Sequence, residues 1–133
     1  MTKSIKLQKI ALSLARGAGH PDGEDRDGYE FLAPLTAERH IDADAWRLAR
    51  HACSVHRIRD GDIVQRGILA HHPGGRGGAT WSFDYSSASA VSEEIEEGYR
   101  LADRAFVVGE YVSIRDEDDG VLKTYRVSSV VPA

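Results

Sequence analysis

The amino-acid sequence predicts a mainly β fold, with α+β as the neighbouring class: a small antiparallel barrel or rolled sheet of about six strands, with one short helix near residues 42–52. Three observations carry this reading. In the stretch FVVGEYVSIRDEDDGVLKTYRVSSVV, Val112 and Ile114 alternate with Tyr111, Ser113 and Arg115, and beyond an acidic Asp-Gly turn Val121, Tyr125 and Val127 alternate with Leu122, Thr124 and Arg126. Several other short alternating runs are separated by glycine-containing turns, and the period changes to a helical one only after Asp42.

The elements follow in order. Ile10, Leu12 and Leu14 alternate as in a strand, while Leu7, Ile10, Ala11 and Leu14 also fit a helical stripe; strand is the reading preferred. The loop GAGHPDGEDRDG interrupts regular structure, and Tyr29, Phe31, Ala33 and Leu35 resume a period of two. Pro34 limits how deep in the sheet that strand can sit. In IDADAWRLARHA, Asp42 can cap backbone amides, and Ala45, Trp46 and Ala49 form a modest apolar stripe. Val55 and Ile58 then lie in an Arg-rich strand, Asp60-Gly61 makes a turn, and Ile63 to Ala70 forms a strand in which Gly67 is the expected bulge. HHPGGRGG is loop by composition. Thr80 to Tyr85 returns as a strand with Trp81, Phe83 and Tyr85 on one face. Residues 86–97, small and polar and then acidic, read as a flexible surface loop within a single domain spanning 1–133.

The Gly-Glu-Tyr-Val-Ser-Ile strand, the acidic Asp-Gly turn and the Tyr-Arg-Val strand are similar to the closing hairpins of many small β-barrel modules. That likeness lies at the level of the fold and is shared across unrelated functions.

With 133 residues, 41% hydrophobic and 29% charged, the chain can build one core without staples. Its single cysteine, Cys53, excludes an internal disulfide framework and points to a reducing compartment, so the expected location is cytoplasmic. The N-terminal IKLQKIALSLARG is broken by Lys6, Gln8, Lys9, Ser13 and Arg16, which argues against a secretory leader, and no apolar run is long enough for a transmembrane helix. The net charge of −4 disfavours general affinity for nucleic acid or an anionic membrane. The charge is nonetheless uneven. Seven arginines face four acids between Arg39 and Arg76, whereas acids dominate from Glu93 to Asp119.

Candidate chemistry is sparse. His51, His56, His71 and His72 are the histidines from which a metal site would be built, with His20 in the first loop, but no spacing matches a metal signature such as H-E-x-x-H. The acidic first loop and the acidic hairpin turn both lack the leading and closing carboxylates of an EF-hand. Cys53 beside Ser54 has no nucleophile elbow around it, and a lone cysteine is usually a small buried apolar group. The run Gly74, Gly75, Arg76, Gly77, Gly78 offers amides and one guanidinium to a phosphate without being a P-loop. If it binds, Trp81 and its neighbours would supply a stacking face, although alternating aromatics more often form core.

The leading expectation is a non-enzymatic binding or interaction module, a bacterial-type small β-barrel. It would hold an anionic ligand or protein partner through His71, His72, Arg76 and Trp81 beside the Arg-rich strand, without a cofactor or a membrane. The alternative is a metal-dependent hydrolytic enzyme using the histidine cluster.

Overall fold

A computed structural model of the chain describes residues 5–16, 24–72, 80–84, 95–99, 105–115 and 122–133. They form eight antiparallel strands: β1 (Gln8–Arg16), β2 (Glu24–Ala33), β3 (Ser54–Arg59), β4 (Asp62–His72), β5 (Thr80–Asp84), β6 (Ile95–Tyr99), β7 (Tyr111–Arg115) and β8 (Leu122–Pro132). Each strand pairs with the next, and β1 pairs with β8 from Gln8↔Pro132 to Arg16↔Thr124, so the sheet closes into an up-and-down barrel.

The period-two pattern decides what lies inside. Ile10, Leu12 and Leu14 on β1, Tyr29, Phe31 and Ala33 on β2, Val112 and Ile114 on β7 and Tyr125 and Val127 on β8 are all buried. These are the alternating positions of the sequence, and the first element is the strand that reading preferred. Eight strands leave an interior about wide enough for side chains alone or for one small ligand. Here aromatic side chains of the described residues meet across it. Tyr29 on β2 meets Phe83 on β5 with ring centroids 5.1 Å apart, and Phe31 reaches Phe83 at 5.3 Å and Phe106 at 5.7 Å, so rings from opposite walls touch across the lumen.

One end of the barrel is covered by the connection from β2 to β3. Its helix α1 (Ala43–Ala49) begins at Asp42, whose carboxylate accepts from the Ala45 amide at 3.1 Å, and runs into a 3-10 turn at Arg50–Ala52. The expected helix thus exists, shorter than residues 42–52 and finished by the tighter turn. Trp46 is the buried residue of α1 and hooks it to the barrel, its indole N–H donating to the Leu69 carbonyl at 2.9 Å. An isolated bridge between Leu35 and Ile41 and the Asp42 amide bonded to the Pro34 carbonyl fold this connection back on itself.

Three expectations are corrected. The barrel has eight strands among the described residues, not about six. Part of the difference is β6, whose sequence IEEGY begins inside the stretch 86–97 read as a loop. Its two adjacent glutamates hid a strand signal, and residues 86–94 lie outside the described residues. The bulge falls not at Gly67, which pairs with Val55, but three residues earlier: the register shifts between Arg57 and Ile58, leaving Val64 as the extra residue. At the hairpin tip Asp60 and Gly61 both take positive φ, 52° and 81°, as a tight two-residue turn between twisted strands requires. Tyr85 and the acidic turn at 116–121 lie outside the described residues.

No helix among the described residues is long and apolar enough to cross a membrane. Gly28 marks a tight strand contact. It pairs with Ser13 where β1 and β2 slip register, and a Cβ placed on it would overlap the carbonyl of Leu12. Gly28→Ala is therefore expected to lower unfolding free energy by about 3 kcal/mol or to abolish folding, checked by urea denaturation followed by far-UV circular dichroism.

Candidate functional site

The Arg-rich hairpin of β3 and β4 carries most of the chemistry, and the pleat divides it. Val55 and Arg57 point inward and are buried; His56 and, by the same alternation, Arg66 on β4 stand on the outer face. His56 pairs directly with Arg66 on one side and Glu30 on the other, and Glu30 is bridged by Lys9 at 3.4 Å. Arg59, half-buried, follows toward the turn. At the opposite end of the hairpin the 3-10 turn sets Arg50 and His51 in solvent, since the Cys53 amide donates back to the Arg50 carbonyl and the Leu69 amide donates to the Cys53 carbonyl.

Arg57 behaves differently from every other arginine of the hairpin. Only 4% exposed on the inner wall, it donates to the Tyr29 hydroxyl, and its guanidinium carbon lies 5.0 Å from the Tyr29 ring centroid. Tyr29 in turn packs edge-on against Tyr125 at 5.1 Å. A buried guanidinium is tolerated only where its donors find acceptors, so Arg57 and Tyr29 form a polar layer inside the barrel. Arg57 belongs to the Arg-rich strand expected to adjoin the ligand. Its position two residues after the apolar Val55 is the signal that places it inside.

The proposed ligand residues separate in the same way. His71 and Trp81 pair across β4 and β5 and face inward beneath α1, their ring centroids 4.3 Å apart. Trp46 closes the group edge-on, 5.4 Å from Trp81 and 5.7 Å from His71. Trp81 is 2% exposed, which corrects its expected place on a binding face: it is core and offers no surface to an external base. His72 is the last residue of β4, and its side chain lies outside the described residues, as do Arg76 and the whole glycine run.

Among the described residues, the histidines considered for a metal, His51, His56 and His71, do not converge. His51 is exposed on the 3-10 turn, His56 stands on the outer wall, and His71 is packed against two indoles inside. Among the described residues no group of three or more His, Cys, Asp or Glu side chains is placed to hold an ion. The arrangement thus lends no support to the hydrolytic alternative, which needs such a cluster.

Cys53 is fully buried at the start of β3, its thiol directed at the Ala49 carbonyl 3.5 Å away. Burial pushes its pKa up to about 11, which keeps it a neutral thiol and a poor nucleophile at neutral pH. Lys9 pairs with Glu30 across β1 and β2, and Arg47 pairs with Asp44 at 3.6 Å within α1.

Comparison with protein-family models, with curated proteins and with solved structures returns no match, so the reading of this surface rests on its own geometry.

Two outcomes follow from these placements. Tyr29→Phe removes an acceptor from a buried guanidinium and should cost about 1–3 kcal/mol in stability, measured by urea unfolding. Because the folded-state pKa of Cys53 is raised to about 11 from 9.0, the native state holds its proton where the unfolded state has lost it, so stability falls as pH rises from 9 toward 11. Cys53→Ala should flatten that alkaline slope, read from melting temperatures across the interval.

Proposed function

We propose that this chain is a non-enzymatic interaction module of the cytoplasm that binds an anionic ligand or an acidic protein partner on the outside of its barrel. The single observation that supports the outside over the lumen is the packing of Tyr29 and Phe31 against Phe83 on the opposite wall, at 5.1 and 5.3 Å. Barrels that carry a ligand internally keep a cavity between their walls, whereas here the walls are joined by aromatic rings. The anionic preference follows from the solvent-facing cations between residues 39 and 66, where Arg39, Arg47, Arg50 and Arg66 are exposed. A buried thiol held neutral suits a reducing compartment and takes no part in recognition.

The test is a titration with fluorescein-labelled poly-L-glutamate at low and at physiological ionic strength. Saturable binding that weakens as salt rises is expected, since the attraction is between exposed charges. Both tryptophans of the chain, Trp46 and Trp81, are buried, so their emission should stay unchanged during the titration. Absence of saturable binding at low salt would end the proposal, and a shift of the tryptophan emission on binding would move the site into the barrel.

A further inference from the structure

Resting on the reading of an outer binding surface, we infer that the recognising face is the wall made by the end of α1, the 3-10 turn and the β3–β4 hairpin, and that its occupant is an acidic polypeptide segment carrying aliphatic side chains. Two kinds of exposed group are combined on this wall. Arg50 sits at its helical end, and His56 beside Arg66 occupies its middle, on the face opposite Val55 and Arg57. Aliphatic residues flank these cations in solvent: Leu48 is 80% exposed on α1, and Ile63 and Val64 at the far end are 42% and 50% exposed. Val64 is turned out because it is the extra residue of the bulge between Arg57↔Gln65 and Ile58↔Ile63. Bulges re-aim side chains in this way.

The chemistry of the wall selects among anions. A single-stranded nucleic acid would need exposed rings for its bases to stack on, but the aromatic residues of the neighbouring strand, Trp81 and Phe83, are buried. An aliphatic and cationic strip is complementary instead to a peptide in which acids alternate with leucine-like residues. The carboxylates then meet Arg50, His56 and Arg66, while the apolar side chains cover Leu48 and the Ile63–Val64 tip. The barrel is closed and presents no free sheet edge, so such a segment contacts side chains and adds no strand. Asp60 and Asp62, exposed at the hairpin turn, bound the strip at its far end and set the limit beyond which an acidic segment is repelled.

The experiment compares three labelled probes by fluorescence anisotropy: an acidic peptide with leucine at every fourth position, an all-glutamate peptide of equal charge, and an oligothymidylate. They are titrated into the wild-type chain, the Arg50→Glu/Arg66→Glu double variant, Leu48→Ser and the control Arg126→Glu. Arg126 is exposed on β8, away from this wall, and the fold of each variant is verified by far-UV circular dichroism. The double variant should weaken the leucine-containing peptide about tenfold or more, and the control about twofold or less. Leu48→Ser should weaken that peptide about threefold and leave the all-glutamate peptide unaffected. Loss on Arg126→Glu with none on the double variant would overturn the wall while leaving an outer anion surface standing. Tighter binding of the oligothymidylate than of either peptide would overturn the occupant. No binding of any probe would remove the inference and the proposed function together.

Discussion

Closure of the sheet is the constraint on which the rest depends. With β1 hydrogen-bonded to β8, every strand has two neighbours, and each residue must face either a narrow lumen or the outside. The lumen is so narrow that rings from β2 and β5, two strands removed from being neighbours, meet within van der Waals reach. That leaves no room for a gradual transition from core to surface. A shift of one residue in register would exchange the two faces of a strand, so the apolar alternation and the pairing reinforce each other. It also explains the role of α1. An open barrel end would expose Trp81 and Leu69, and one indole from a seven-residue helix covers both while satisfying the Leu69 carbonyl.

The same two-sided geometry sorts the basic residues of β3 and β4. Neighbours in sequence have opposite fates: His56 and Ile58 look outward while Arg57 between them is sealed in with Tyr29. A cluster that reads as one positive segment in the chain is therefore an internal polar brace and an external charged strip. The brace costs desolvation, offset by hydrogen bonds in a medium where they are strong, and the strip is nearly free to exchange partners. Burial makes the same distinction for the aromatic residues of β5, which serve the core rather than a platform.

Much of this architecture was legible beforehand, and for a definite reason. Wherever a buried face carries large apolar residues at every second position, as with Ile10, Leu12 and Leu14 or Tyr29 and Phe31, the pattern identifies both the strand and its inner face. The Asp-Gly turn at residues 60 and 61 was equally plain, because few residues accept positive φ. The pattern failed where the inner face departs from large aliphatic side chains. In IEEGY two adjacent glutamates hide the period-two signal, and Arg57 breaks the rule by being charged. The bulge was misplaced because glycine is a common but not a necessary marker of one, and Val64 carries no local sign of it. Site residues were the least readable. Whether His51, His56 and His71 meet is settled by pairings between distant strands, and no spacing along the chain encodes it.

The pairing of the first strand with the last has a consequence for synthesis. Gln8 lies beside Pro132, and the Ala133 amide reaches back to the Leu7 carbonyl, so the final seam joins positions separated by almost the whole chain. Hairpins β1–β2 and β3–β4 can form as soon as their residues leave the ribosome, but β1 has an uncovered flank until β8 has been made. During that interval Ile10, Leu12 and Leu14 border an unpaired strand edge, the arrangement most prone to pairing with another chain. The completed barrel hides that edge, so its exposure to misassembly is concentrated in the time between the first strand and the eighth.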